Sequence, residues 1–264
     1  MTAIFMPALI IAGLGLICGI VISIASILMS IPVNEKEQAI KDILPGANCG
    51  ACGFPGCDGF AVAVASGEAD ITGCPPGGSA LRDALSALMG VEAGAVRRLS
   101  AQVKCNGCTQ NTREKMRYMG AGSCVCANQM YGGQLACSYG CLGFADCMTV
   151  CAYDAIRIVN GLAVVDSDLC AGCILCVAAC PKGLIQMIPA TDAAVILCSS
   201  HDRGAVVRKA CRVGCIGCNL CKKACPQGAI AIEGYLAEID YQACDGCGKC
   251  AAVCPQKAIG MAGA

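Results

Sequence analysis

The chain is poor in the side chains that usually build and run an enzyme. Its 264 residues include no tryptophan, four phenylalanines and six tyrosines, and the only histidine is His201. Large apolar anchors are therefore scarce, so something other than a hydrocarbon core must supply folding energy, and bound metal is the candidate. A single histidine leaves acid–base catalysis little footing; a surface or helix-capping role suits His201 better than ligation. No G-x-G-x-x-G follows a predicted strand and no G-x-x-x-x-G-K-[ST] occurs, which leaves nicotinamide binding and phosphate cradling without a motif. Nineteen basic residues balance nineteen acidic ones, and nucleic acid is not expected as a partner.

Charge is also missing locally. From Met1 to Asn34 there is no Asp, Glu, Lys or Arg, and Ile4 to Ile31 is almost continuously apolar. That run exceeds the roughly 20 residues a bilayer span needs. It lacks the basic leader of a secretory signal, so residues 1–33 are expected to form an uncleaved transmembrane anchor, with Cys18 as a small apolar residue inside it. Lys36 and Lys41 follow the span and favour the cytoplasm for the body. The cysteines beyond Cys18 lie two and three residues apart, mostly too close to bridge one another, and suit a reducing compartment.

Cysteine itself is abundant, 27 residues or about a tenth of the chain, a level that signals a disulfide or metal scaffold. Sliding the second half on itself by 74 positions lays Cys124, Cys137, Cys141, Cys147, Cys151, Cys170, Cys173, Cys176 and Cys180 on Cys198, Cys211, Cys215, Cys221, Cys225, Cys244, Cys247, Cys250 and Cys254 without a gap. The same shift places Ala155–Asp166 on Ala229–Asp240. Each copy carries alternating segments around a tight turn, Asn160-Gly161 in the first, predicting small antiparallel hairpins. Upstream, Asn34–Gly46 predicts a short helix with Asn34 as cap and Glu37 at the capping-box position. A second helix is expected over Asp58–Ser66, and a third, capped by Ser79, ending at Gly90. The expected organisation is an anchor over 1–33, a cysteine-bearing N-terminal domain over 34–78, a linker with a helical segment over 79–123, and the two copies of the repeated module over 124–197 and 198–264. The fold class is α+β.

Three runs, Cys170–Pro181, Cys215–Pro226 and Cys244–Pro255, match C-x2-C-x2-C-x3-C-P, the iron–sulfur run of bacterial ferredoxins. Three thiolates at this spacing wrap one cubane and the fourth reaches its neighbour. Cys215, Cys218, Cys221 and Cys254 then serve one cluster, and Cys244, Cys247, Cys250 and Cys225 the next. Zinc sites usually need only two CxxC knuckles across a longer loop. The first copy is irregular, with Phe144 where its twin has Cys218. If Cys137 supplies the missing thiolate, Cys137, Cys141, Cys147 and Cys180 form one quartet and Cys151, Cys170, Cys173 and Cys176 the other. Cys198 and Cys211 are then spare, as buried small residues or as swapped ligands.

Cys49, Cys52, Cys57 and Cys74 form C-x2-C-x4-C-x16-C among glycines that let backbone amides approach a cluster, and a further [4Fe-4S] site is expected there. Cys105, Cys108, Cys124 and Cys126 are open to three readings: another cluster, a structural zinc, or no metal. The expectation is five [4Fe-4S] clusters, six if this last quartet is filled. Arg203, Arg208, Lys209, Arg212, Lys222 and Lys223 form a basic stretch, read either as a dock for an acidic electron carrier or as a solvated face.

The apolar span, the C-x2-C-x4-C-x16-C segment and the paired ferredoxin modules with Gly140–Cys147 in the first together resemble the B-subunit family of Rnf complexes, over essentially the whole chain. The Cys49–Cys74 motif alone is also similar to the iron–sulfur domain of corrinoid proteins. The Rnf resemblance implies a subunit of an ion-translocating ferredoxin:NAD oxidoreductase of the bacterial cytoplasmic membrane, single-pass with its body in the cytoplasm. Soluble ferredoxin would be the electron donor and the other Rnf subunits the acceptors, with Na+ or H+ translocated and no NAD-reducing site on this chain. A cluster-based redox sensor and a zinc-stabilised membrane scaffold are the readings from other classes.

Overall fold

The computed structural model describes residues 2–28, 34–92 and 97–262. Helix α1 (Thr2–Leu28) holds the uncharged run. Side chains are described for 12–25 of it, all exposed, and among the described residues no helix is long and apolar enough to cross a membrane. The remainder of the expected 1–33 anchor lies outside them.

A small helical unit follows, made of α2 (Glu35–Ile43), α3 (Gly56–Ser66) and α4 (Gly78–Met89), the last preceded by a 3-10 turn at Pro75–Gly77. Asn34 caps α2 by accepting the Lys36 amide at 3.1 Å, while its own side-chain amide donates to Glu37 at 3.0 Å. Gly67 and Gly90 close α3 and α4 in the left-handed conformation, the usual use of a glycine at a helix C-terminus. Ser79 does not cap α4: the helix begins one residue earlier and its N-terminus has no side-chain cap. Ile40, Phe60, Val64 and Leu85 are buried together, a conventional apolar core.

The rest of the chain contains β1 (Leu99–Val103), α5 (Cys124–Gln129), α6 (Asp146–Thr149), β2 (Ile156–Val159), β3 (Leu162–Val165), α7 (Leu175–Ala179) and β4 (Ile185–Pro189). Then come β5 (Ala194–Ile196), α8 (Gly204–Ala210), α9 (Leu220–Ala224), β6 (Ile230–Glu233), β7 (Leu236–Ile239), α10 (Lys249–Ala252) and β8 (Ile259–Met261). All strands pair antiparallel, β1 with β4, β2 with β3, β5 with β8 and β6 with β7. The Asn160-Gly161 turn has both residues at positive φ, as does Gly234-Tyr235 in the twin hairpin, the signature of a type I′ connection.

The strand pairings show an equivalence that cysteine spacing alone does not. Leu99–Val103 lies in the stretch expected as linker, yet it pairs with β4 as β5 pairs with β8. Beyond the strands, the Lys104 amide donates to Leu184 at 2.7 Å, and the Leu197 amide to Ala258, the repeat partner of Leu184, at 2.8 Å. Thus β1 is the structural twin of β5. The stretch from Cys105 to Cys137 is 19 residues longer than its counterpart from Cys198 to Cys211, which is why a gapless alignment of the two copies misses this match.

Both units are held to the two residues just before β1. The Arg98 guanidinium donates to the carbonyls of Ser167 and Asp168, both at 2.8 Å. Its neighbour Arg97 donates to Asp192 at 3.1 Å and to Tyr241, the repeat partner of Ser167, at 3.4 Å. Two adjacent arginines therefore clasp corresponding carbonyls of the two units. The buried interior of each unit is built from short aliphatics and cysteines rather than aromatics.

Candidate metal centres

In the helical unit the loop before α3 carries Cys49 and Cys52, the first turn of α3 carries Cys57, and Cys74 stands just before the 3-10 turn. Asn48 folds over this loop, its side-chain oxygen accepting the Cys57 amide at 2.8 Å. Cys52, Cys57 and Cys74 pack against the same apolar core, and burial pushes the Cys74 thiol up, with the fields of Cys52, Cys49 and Cys57 adding to that.

In the first ferredoxin-like unit Cys151, Cys170, Cys173 and Cys176 line a hollow of about 330 Å³ with Ile156 and Val165. In the second, Cys215, Cys218, Cys221 and Cys254 line one of about 380 Å³. Cys250 is buried, and the charges felt by its thiol are those of Cys244 and Cys225. In these sets the last cysteine of each run lies with the first three of another. Backbone amides point at the sulfurs: Ala101 donates to Cys170 at 3.4 Å and Ala258 to Cys254 at 3.3 Å. Close approach explains two glycines, since a Cβ on Gly143 would lie 2.5 Å from the Gly161 carbonyl oxygen and one on Gly217 2.8 Å from that of Tyr235.

The irregular quartet is grouped differently from the sequence expectation. A hollow of about 370 Å³ is lined by Cys124, Cys141, Cys147 and Cys180, so Cys124 stands where Cys137 is expected from the spacing. The cause is Asp146, whose carboxylate accepts the amides of Cys124 at 2.9 Å and Val125 at 3.1 Å and the Ser123 hydroxyl at 2.9 Å. It caps α5 from outside and carries Cys124 to Cys147. Burial pushes the Asp146 carboxyl up, but these donors outweigh it and hold it below its ordinary value. The sequence signal is the Phe144 substitution, which demands a thiolate from elsewhere, and an upstream loop of sufficient length supplies it.

Cys137 instead lines a fourth hollow, about 430 Å³, with Cys105, Cys198 and Cys211. The set Cys105, Cys108, Cys124 and Cys126 is therefore not brought together: Cys105 and Cys124 line different hollows, Cys108 is half-buried and Cys126 is exposed. His201 is exposed and meets Tyr139 edge-on at 5.9 Å.

The thiols fit a cationic cage. Burial pushes Cys105 and Cys147 up to about 12 and Cys176 and Cys221 up to about 11, so as bare thiols they hold their protons, and a positively charged core is needed to make them thiolates. Among the described residues no group of three or more His, Cys, Asp or Glu converges closely enough to hold one metal ion. A cubane spreads its thiolates around a cage, and an all-cysteine donor set is the one such clusters use.

Cysteine-lined hollows within a duplicated unit of hairpin and short helices define an iron–sulfur protein of bacterial ferredoxin type. An Fe-S cluster family model, FeS, matches residues 44–76, and the 4Fe-4S dicluster domain matches residues 214–258. The chain is 40% identical over 91% of its length to the B subunit of the Na+-translocating ferredoxin:NAD+ oxidoreductase complex of Acetobacterium woodii, covering 73% of that protein. It is 38% identical, again over 91%, to the B subunit of the proton-translocating ferredoxin:NAD+ oxidoreductase complex of Clostridium ljungdahlii, covering 85% of it. It is 39% identical over 88% to the B subunit of the ion-translocating oxidoreductase complex of Methanosarcina acetivorans, covering 89% of it. The chain belongs to this B-subunit family of ion-translocating ferredoxin:NAD+ oxidoreductase complexes.

Proposed function

We propose that this chain is the multi-cluster electron-carrying subunit of an Rnf-type complex, passing electrons from reduced ferredoxin towards the other subunits, which reduce NAD+ and drive Na+ or H+ translocation. The observation that carries this reading is the contiguity of the cysteine quartets. Cys74 of the helical unit and Cys170 of the first ferredoxin-like unit line one cleft, which ties those two quartets together. When bound, each [4Fe-4S] cluster takes and gives one electron at a time.

The residues supply holding, insulation and tuning. Cys49, Cys52, Cys57 and Cys74 would hold the cluster next to the membrane partners. Cys151, Cys170, Cys173 and Cys176, with Cys124, Cys141, Cys147 and Cys180, would serve the first module, and the crossed sets around Cys221 and Cys250 the second. The ferredoxin modules on this reading run from β1 to β4 and from β5 to β8. Aliphatic walls such as Ile156, Ile230 and Leu236 keep water from the sulfurs.

Residues 1–33 would anchor the chain as a single span of the cytoplasmic membrane with its body inside. The absence of charge from Met1 to Asn34 and the exposure of Leu14, Ile17, Val21 and Ile24 support this. Ferredoxin, commonly acidic at its surface, would meet the exposed Arg208, Lys209, Lys222 and Lys223 on α8 and α9.

The test is the Cys52→Ala variant in the assembled complex. Ferredoxin should still reduce the distal clusters while electron delivery to NAD+ is lost. Unimpaired NAD+ reduction by this variant would overturn the route.

A further inference from the structure

The cysteines left over by the ferredoxin motifs meet at the junction of the two repeated units. Cys105 is the second residue after β1 and Cys198 the second after its twin β5. Cys137 and Cys211 are partners in the 74-residue repeat, each four residues ahead of the first cysteine of its run, Cys141 or Cys215. Each unit thus contributes the same two cysteines, one from the end of its opening strand and one from the loop before its cluster run. The site has the approximate two-fold character of the duplicated fold itself.

Specific contacts between the units bring the pairs together. The Ser199 hydroxyl donates to the Lys104 carbonyl at 2.9 Å, joining the residues beside Cys198 and Cys105. Residues 111–113 pair antiparallel with 210–212: the Arg212 amide donates to Asn111 at 2.9 Å and the Arg113 amide to Ala210 at 3.1 Å. This seats Cys211 against the loop that carries Cys105. Backbone amides also point at two of the sulfurs, Gly107 donating to Cys105 at 3.3 Å and Ser200 to Cys198 at 3.5 Å. Such donors stabilise thiolate and cluster sulfur. These four cysteines line one hollow, as each of the three quartets above lines its own.

We propose that Cys105, Cys137, Cys198 and Cys211 are the ligands of an additional [4Fe-4S] cluster that bridges the two ferredoxin-like units. The cage class follows from four cysteines lining one hollow, the all-thiolate donor set that [4Fe-4S] clusters take. The ligand loops connect the site to a neighbour on each side, because Cys137 and Cys211 each stand four residues ahead of the first cysteine of a run, Cys141 and Cys215, and those line the hollows of the two units. A cluster held by these residues would relay one electron at a time between the Cys215 and Cys141 sides, with no net redox change. The inference rests on the electron-carrier reading above.

The test is iron and acid-labile sulfide per chain in the anaerobically purified full-length protein, compared with the Cys198→Ala/Cys211→Ala double variant and with Cys126→Ser as control. The double variant should lose about four irons and four sulfides per chain while the control loses none. Retention of all the iron and sulfide overturns the site, as does loss of stoichiometric zinc with sulfide unchanged. If the double variant does not fold, Cys211→Ser, a one-atom change, decides. It should show either the electron paramagnetic resonance of an oxidised three-iron cluster or one cluster fewer, and a spectrum identical to that of the parent overturns the site. Absence of sulfide from the unaltered chain would instead sink the electron-carrier reading itself, an outcome distinct from loss of this one site.

Discussion

The Asp146 carboxylate accepts the Cys124 amide at 2.9 Å across an intervening loop, and this one contact decides which cysteine completes the irregular quartet. Ser123, the residue at the N-cap position of α5, makes no capping bond of its own to the helix. Asp146→Ala should therefore cost about 1 kcal/mol, as loss of a cap does, and should make one cluster labile. Asp146→Asn, which keeps one acceptor oxygen, should fall between. Iron retained after anaerobic chelator challenge and the thermal midpoint measure this, and values equal to the parent's for Asp146→Ala would refute the capping role.

Lys182 lines the same hollow, and its ammonium is folded back onto the carbonyls of Ser138 at 2.7 Å and Gly132 at 2.8 Å. Burial pulls its pKa down, with Lys115 adding to that. A nearby cation favours the reduced, more negative cluster. Lys182→Met should shift one midpoint potential negative, on the order of tens of millivolts, in a redox titration followed by electron paramagnetic resonance. A positive shift would contradict the electrostatic assignment.

Lys222 and Lys223 end α9 beside the Cys215–Cys221 loop and are exposed. Reversing both to Glu should lower kcat/KM for reduced ferredoxin by roughly tenfold at low ionic strength, mainly through association, and flatten the salt dependence. An unchanged salt profile would assign these lysines to a merely solvated face.

Metal removal should act unequally along the chain. The helical unit has a core of Ile40, Phe60, Val64 and Leu85, whereas the ferredoxin-like units bury cysteine together with short aliphatics. Stripping iron anaerobically should unfold the hairpins and their short helices while α2, α3 and α4 persist. Limited proteolysis should then cut after residue 97 well before it cuts within 34–89. Simultaneous loss of both regions would show that the helical unit also depends on its cluster.

Local patterns are readable without coordinates where the chemistry is local. The helix over Glu35–Ile43 follows from Asn34, Glu37 and Pro45, and the hairpin from Asn160-Gly161, because caps and type I′ turns involve residues within a few positions of one another. The helix start at Gly78 escapes this logic because Ser79 has the composition of a cap without its hydrogen bond. The exact ferredoxin runs carry their own ligand geometry, since three cysteines at a spacing of three wrap one cubane whatever surrounds them.

What residue order could not reveal is which distant cysteines meet. The spacing of Cys105, Cys137, Cys198 and Cys211 follows no known motif, and Cys124 aligns in the repeat with Cys198 although the two line different hollows. Their grouping depends on the β1–β4 and β5–β8 pairings, on the bridge of residues 111–113 to 210–212, and on Asp146 at the start of α6. Each is a contact between segments far apart in the chain, set by packing and by the need to satisfy backbone amides. Composition and short-range spacing thus determine that this protein carries iron–sulfur clusters in repeated ferredoxin-like units, and the packing of those units against each other decides which thiolates share a cage.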